Sequence, residues 1–215
     1  MGLDRERITQ AALDLLDETG IEGLTMRKLA DALGVQAPAL YWHFPNKPAL
    51  LDEMAEALLA GVADRASPSD DFGEVLRRCA TELRRALLSR RDGARVFAGT
   101  FVVRPNVLRM AEKVVAALMR AGFETQTAMR AMFSLLYFVL GFVIEEQALT
   151  EQLRAGGSEQ KLDSALAAVS DMDFPSLRLA LPELQDLDQD ARFSFGVDVI
   201  IQGLRGMDGS IGRTG

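Results

Sequence analysis

The sequence predicts an all-α protein, on two observations. Apolar residues recur along several segments at the i, i+3, i+4 spacing that forms one face of an α-helix. In the first such segment these residues are Ile8, Ala11, Ala12, Leu15 and Leu16. No segment shows the strict alternation of apolar and polar residues that marks a half-buried strand, and no internal repeat is visible. We therefore expect helices packed on helices.

The composition suits one or two compact domains and excludes several kinds of site. The chain has 215 residues, of which 48% are hydrophobic and 26% are charged. With 1 cysteine and 1 histidine, it cannot form an internal disulfide, a multi-cysteine zinc site or a histidine-rich metal site. A Ser-His-Asp or Cys-His arrangement would have to use His43, and no Gly-rich phosphate loop is present. An enzymatic function therefore has little support.

The N-terminal residues do not look like a secretory signal, because charged residues up to Arg7 leave no apolar segment. The most apolar stretch, residues 131–144, is shorter than the ~20 residues of a membrane-spanning helix and contains Ser134 and Gly141. These features predict a cytoplasmic protein without a membrane partner.

Residues 24–47 predict two short helices joined by a tight turn. Thr25 is a good N-cap for the first helix, and Gly34 can end it because glycine adopts a positive φ without a Cβ penalty. Pro38 suits the first turn of the second helix, which is expected to end before Pro45. Such a pair is a helix-turn-helix unit, whose second helix can enter the major groove of DNA.

The second helix carries three consecutive ring side chains, Tyr41, Trp42 and His43. A packed helix buries roughly a third of its circumference, so with Leu40 facing inward the three rings cannot all be buried. Their polar atoms suit phosphate oxygens. The alternative explanation is a small three-helix core with an aromatic rim.

Charge is distributed unevenly along the chain. The net charge is −7, which argues against polyanion binding by the whole surface. Residues 24–47 nevertheless carry Arg27, Lys28 and Lys47 against the single acid Asp31. DNA binding would therefore rest on a local patch, with weak non-specific affinity.

The chain is predicted to divide into three parts: a head at residues 1–46, a connector helix at 47–66 and a helical body at 67–208. Asn46 can cap the connector helix, and the polar segment 67–71 marks the boundary with the body.

The body is predicted to centre on a long helix that begins at Thr125 and is apolar almost all round. Such a helix must be covered on two sides, and a monomer of this size covers one. A partner subunit is the natural second cover, which predicts a homodimer.

Shorter elements are expected around the long helix. Helical patterns cover residues 72–87, 107–121, 162–169 and a last segment from about 189. Less regular segments are expected at 90–93, 154–160, 171–184 and beyond 206, and a short apolar piece at 94–100. The arginines of the first of these helices are expected on a solvated face: Arg77, Arg78, Arg84 and Arg85.

The run from Leu24 to Val35, followed by Pro38 to Lys47, resembles the DNA-binding head of the tetracycline-repressor family. Further segments resemble the middle and end of repressors in the narrower group that senses tetracycline: 86–89, 91–94, 99–100, 122–123, 140–147 and 195–196. The resemblance implies an all-α homodimer in which each subunit has a DNA-binding head and a body for ligand binding and dimerisation. It also implies a palindromic double-stranded DNA operator.

Several positions align with DNA-contacting positions of that family. They are Thr25, Met26, Arg27, Gln36, Ala37, Pro38, Ala39, Tyr41, Trp42, His43 and Lys47. Arg27 is the best candidate for reading a guanine edge. Ala37 and Ala39 stand where the tetracycline repressor has polar side chains, so a different operator with contacts to thymine methyls is expected.

Other positions align with the family's effector pocket. They are Ala63, Cys79, Leu83, Phe97, Thr100, Met110, Phe133, Tyr137 and Glu145. Phe97 replaces a histidine that ligates the drug-borne Mg²⁺ in the tetracycline repressor, and a phenyl ring cannot coordinate a hard cation. The resemblance therefore implies a small, largely apolar effector bound without Mg²⁺ or any other metal cofactor.

Tyr137 or Glu145 is expected to orient the effector, although Glu145 with Glu146 could instead cap a solvated helix end. The expected signal path runs from Phe97 and Thr100 through the turn at 91–93 to the connector. The function expected is that of a ligand-responsive transcriptional repressor. The alternative is a protein that sequesters a small molecule and no longer binds DNA.

Overall fold

A computed structural model describes residues 3–64, 70–100, 103–154, 164 and 174–211. Within these residues the chain is helical, with no strand, as predicted. The helices are α1 Arg5–Gly23, α2 Met26–Leu33, α3 Ala37–Tyr41, α4 Lys47–Leu58, α5 Phe72–Leu88, α6 Gly93–Ala98, α7 Pro105–Arg120, α8 Thr125–Arg154, α9 Pro175–Leu179, α10 Leu181–Gln185 and α11 Gln189–Ile211.

Helices α1 to α3 form the predicted head. The hydroxyl of Thr25 accepts a hydrogen bond from the backbone amide of Lys28 at 3.2 Å, which caps α2. Gly34 ends α2 with a φ of 66°, the left-handed conformation that glycine adopts without strain. The head is held by fully buried side chains: Ile8, Leu16, Leu24, Leu29, Leu40 and Phe44.

Two helices of the head end elsewhere than the sequence predicts. α1 continues to Gly23 across a kink at Gly20, where φ is 68°. α3 ends at Tyr41, so Trp42 is its C-cap and His43 lies in the following turn. The early end has a physical reason, because the chain must become extended at Asn46, whose side chain caps α4.

The connector helix α4 is shorter than the predicted 47–66. It ends at Leu58, and turns follow as far as Asp64. Two residues in those turns, Gly61 and Ala63, have positive φ values of 80° and 69° and therefore cannot continue the helix. Most of the predicted boundary segment lies outside the described residues.

The body packs α5, α7 and α8 around one apolar core, with α6 at one end and α11 alongside. α5 begins with a capping box between Asp71 and Glu74. α8 and α11 approach closely at Gly196, where an added Cβ would lie 2.2 Å from the Cζ atom of Phe138. The glycine is therefore required for this helix crossing.

Towards its C-terminus the chain is more regular than the sequence predicts. Pro175 and Pro182 lie in the first turns of α9 and α10, where a missing amide costs nothing, so they start short helices rather than breaking them. α11 continues to Ile211, although fraying was expected from Gly206. The predicted helix at 162–169 lies, except for Ser164, outside the described residues.

Candidate nucleic-acid interface and effector pocket

The head presents its aromatic residues outward at the end of α3. Tyr41 is 50% exposed and Trp42 is 90% exposed, whereas Leu40 is fully buried. Thr25, Arg27, Gln36 and Pro38 are also exposed, while Ala37, Ala39 and His43 are partly buried. Most of the predicted DNA contacts are thus accessible on the head.

Two of the residues predicted to contact DNA also make contacts within the protein. Met26 is buried, with 9% exposure, so its side chain packs in the core of the head. Lys47 donates a hydrogen bond from Nζ to the carbonyl of Ile21 at 2.9 Å. This bond ties the start of α4 to the end of α1.

Three of the predicted effector contacts line one small cavity in the body. Cys79, Leu83 and Met110 enclose it together with apolar residues of α5, α7 and α8, and its volume is about 10 Å³. A space of this size accommodates about one water molecule. A small organic molecule would therefore enter only if these helices separate.

Burial raises the pKa of the Cys79 thiol to about 12, with a smaller contribution from the charge of Glu82. The thiol is therefore neutral at physiological pH and lines the cavity as a small hydrophobic group.

Phe97 and Thr100 lie at the α6 end of the body. Phe97 is buried, and the Thr100 hydroxyl donates a hydrogen bond to the Phe97 carbonyl at 2.7 Å. Ala63 is buried as well, and its amide donates to the carboxylate of Glu82 at 2.7 Å. The bond between Ala63 and Glu82 connects the turns after α4 with α5, and α6 packs on the connector α4.

The remaining predicted effector contacts do not line the inner cavity. Phe133, Tyr137 and Glu145 lie on the outer face of α8, where each is exposed. The rings of Phe133 and Tyr137 stack with centroids 5.8 Å apart. Their spacing of four and eight residues places them on one face of α8, which is exposed in the single chain.

Glu146 has a structural role that the sequence does not reveal. Arg84 of α5 donates two hydrogen bonds to its carboxylate, at 2.9 and 2.7 Å, and a third to Asp190 at 2.6 Å. The guanidinium of Arg84 also lies 4.8 Å from the centroid of the Phe193 ring. Arg84 therefore joins α5, α8 and α11, and the prediction that it lies on a solvated face is wrong. Glu146 is held in this ion pair rather than capping a solvated helix end.

The turn between α5 and α6 is bonded to the head. The backbone amide of Ile21 donates to Asp92 at 2.8 Å, and the amide of Arg91 donates to Asp17 at 2.8 Å. Arg90 pairs with Asp17 at 2.6 Å. The hydrogen bonds of the turn thus lead to α1, whereas α6 itself packs on α4.

The same turn is held from the body side by Gln147 of α8. Its amide nitrogen donates to the carbonyls of Leu87 and Arg90, at 3.2 and 2.8 Å, and its amide oxygen accepts from Ala94 at 3.3 Å. Sequence reasoning missed this contribution, because no local pattern links position 147 to a turn more than fifty residues earlier.

Metal ligands are not clustered in the part of the chain that the structure describes. No group of three or more His, Cys, Asp or Glu side chains is arranged there to hold a metal ion.

Comparison with known proteins gives consistent matches over nearly the whole chain. The family model for bacterial regulatory proteins of the tetR family matches residues 8–54, and that for the tetracyclin repressor-like C-terminal domain matches residues 66–207. The class A tetracycline repressor protein of transposon 1721 from Escherichia coli is 44% identical over 208 residues, covering 94% of this chain and 90% of the repressor.

Solved structures agree with this assignment. A possible TetR family transcriptional regulator from Streptomyces coelicolor superposes with a TM-score of 0.85 at 46% identity, covering 95% of this chain and 100% of that one. A Q116A variant of TetR from Acinetobacter baumannii, in complex with minocycline, has a TM-score of 0.74 at 36% identity, covering 96% and 99%. The chain therefore belongs to the TetR family, as a ligand-responsive transcriptional repressor and not an enzyme.

Proposed function

We propose that the protein acts as a cytoplasmic homodimer that binds a palindromic operator and is released by a small, largely apolar molecule. The observation that carries the DNA-binding part is the head itself: Tyr41, Trp42 and Arg27 are all exposed on a helix-turn-helix unit. Two such heads on one dimer would address two half-sites of a palindrome.

The proposed dimer is supported by the outer face of α8 and α11. α8 is long and apolar enough to cross a membrane by length and composition alone, but it packs on α5, α7 and α11 in the body. Its outer face still exposes Phe133 and Tyr137, and α11 exposes Phe195 and Val199. A second copy of the chain, related by a two-fold axis, would cover this self-complementary apolar face.

The proposed effector class follows from the residues that line the inner cavity and from Phe97 on α6. Cys79, Leu83 and Met110 offer no charged group, and Phe97 offers no nitrogen or oxygen to a hard cation. The related repressor from Acinetobacter baumannii binds minocycline. In this chain the same region favours an apolar or aromatic molecule bound without metal, and Thr100 is the polar group next to Phe97.

The test is a binding selection of the purified protein on random duplex DNA at several salt concentrations. We expect one enriched palindrome with fixed half-site spacing, and contacts to thymine methyls opposite Ala37 and Ala39. Binding that is weak, salt-sensitive and without any enriched sequence would overturn the proposal. The selected operator then allows neutral aromatic compounds to be screened for release.

A further inference from the structure

Arg5, in the first turn of α1, binds the turn that follows α3, the second helix of the helix-turn-helix unit. Its Nη1 atom donates a hydrogen bond to the carbonyl of His43 at 2.6 Å. Its guanidinium also lies over the ring of Phe44, 4.2 Å from the centroid. Arg5 thus fixes the residues that follow the exposed Tyr41 and Trp42.

The other end of the Arg5 guanidinium is bonded to the connector helix. Its Nη2 atom pairs with the Oε2 atom of Glu53 on α4. The same Oε2 atom accepts a hydrogen bond from Arg104, the N-cap of α7, at 2.6 Å. One carboxylate oxygen is therefore shared by a residue of the head and a residue of the body.

The surroundings of Glu53 keep this carboxylate charged. Its side chain is 23% exposed, and burial alone would raise its pKa. Hydrogen bonds and charges from Arg5 and Arg104 outweigh burial and lower the pKa below its usual value. Both pairings are thus present together at neutral pH.

A second contact fixes α4 to the start of α7. The carboxylate of Glu56 accepts the backbone amide of Asn106 at 2.9 Å, and the Asn106 side chain donates to the carbonyl of Glu56 at 3.0 Å. The start of α7 is also close in sequence to Phe97 and Thr100, which lie at the α6 end of the body. The start of α7 is thus bonded to α4 through polar contacts at Glu53 and Glu56, one turn apart.

We propose that Arg104, Glu53 and Arg5 form a relay that couples the position of the start of α7 to the geometry of the turn at His43, which follows the exposed end of α3. The inference rests on the proposed function, since it concerns how the body controls the DNA-binding head. In this relay Arg104 and Glu53 are positioning residues, which act on DNA binding through Arg5. When Arg104 moves, the shared carboxylate oxygen of Glu53 moves with it. The position of the Arg5 guanidinium then changes, and so does the position of the His43 carbonyl that is bonded to it.

Charge alone predicts a different outcome for one variant. Glu53→Gln removes an acid from the protein, and by electrostatics this would strengthen binding to a polyanion. The relay predicts weaker binding, because a neutral amide oxygen does not hold two guanidinium groups as a carboxylate does. The sign of the change therefore separates the two explanations.

The experiment measures the affinity of the full-length protein for its selected operator at one fixed salt concentration. Arg104→Ala is expected to weaken binding by about 2- to 30-fold, the range typical of couplings through packed networks. Arg120→Ala, which removes an equal charge from the opposite end of α7, is the matched control and should leave the affinity unchanged. In the Glu53→Gln background, Arg104→Ala should cause no further loss.

Equal affinities for Arg104→Ala and Arg120→Ala would overturn the relay. It would also be overturned if Glu53→Gln bound the operator more tightly than the wild type, or if Arg104→Ala caused a further loss of affinity in the Glu53→Gln background. Failure of the wild-type protein to select any operator would instead overturn the proposed function. In that case the relay can still be tested in the protein without DNA, by the fluorescence anisotropy of Trp42, the single tryptophan of the chain. Arg104→Ala should increase its fast local depolarisation, and an unchanged decay would reject the relay.

Discussion

The carboxylate of Asp92, in the body, accepts a hydrogen bond from the backbone amide of Ile21, in the head, at 2.8 Å. The kink at Gly20 frees this amide from the regular helical pattern. In the opposite direction, the carboxylate of Asp17 in the head accepts the backbone amide of Arg91 in the body. Each domain therefore satisfies a backbone donor of the other, which fixes their relative orientation through main-chain atoms.

Asp92→Ala is predicted to destabilise the protein and loosen the head. The amide of Ile21 would lose its partner at a half-buried site, at a cost of about 1–2 kcal/mol. Urea denaturation should show this loss, and hydrogen exchange should show faster exchange at the Ile21 amide. Asp31→Ala, at an exposed position of α2, removes the same charge and should change the unfolding free energy little. Equal effects of both variants would contradict the assigned role.

Gly93→Ala is predicted to disrupt the same turn from the body side. A Cβ at this position would lie 2.2 Å from the carbonyl oxygen of Leu87, which is backbone and cannot move aside cheaply. We expect a loss of about 2 kcal/mol or more in the free energy of unfolding. Gly99→Ala is the control, because its Cβ would meet the nearest atom at an ordinary 3.4 Å. A destabilisation no greater than that of the control would refute the steric argument.

Phe195→Glu is predicted to separate the proposed dimer into monomers. Phe195 is 73% exposed on α11, so a glutamate is tolerated in the single chain, but a charge without a partner is costly inside an apolar interface. Sedimentation velocity at micromolar concentration should show a shift from dimer to monomer. Trp42→Ala is the control, because it removes another exposed aromatic residue that lies outside α8 and α11. This variant should sediment as a dimer, as the wild type does. A dimer that survives Phe195→Glu would place the interface elsewhere.

The helices and the head were predictable from sequence because they depend on local signals. The cap at Thr25 and the glycine at Gly34 act within one turn of the chain, and both are found as predicted. The placement of Tyr137 was not predictable, since a helix that is apolar almost all round does not reveal which face meets the core. The contacts of Gln147 and Arg84 join residues about sixty positions apart, which no local pattern encodes.

The buried thiol of Cys79 is predicted to make stability fall at alkaline pH. Burial raises its pKa from 9.0 to about 12, so the folded state keeps the proton that the unfolded state releases. The stability that the protonated thiol contributes is complete below about pH 9 and is lost between about pH 9 and 12. Over this range the free energy of unfolding falls with a slope approaching about 1.4 kcal/mol per pH unit. Urea denaturation at about pH 8 to 10.5 measures this fall in the free energy of unfolding. Cys79→Ala is the reference, because the stability of this variant declines only through the other titrating groups. Parallel curves for the two proteins would show that the thiol is not protected in the folded state.

Minocycline with Mg²⁺ is predicted to leave the operator complex of the wild-type protein intact. Phe97 supplies no donor atom to the cation, and the inner cavity between α5, α7 and α8 is lined by apolar side chains and the neutral thiol. Phe97→His is the matched variant, because it adds an imidazole nitrogen at the same buried position of α6. We expect this variant to bind the Mg²⁺ complex at least about tenfold more tightly than the wild type does, as one charge-assisted contact is gained. Titration with and without EDTA measures the difference, and release of the wild-type complex that depends on Mg²⁺ would show that the metal is held by residues other than Phe97.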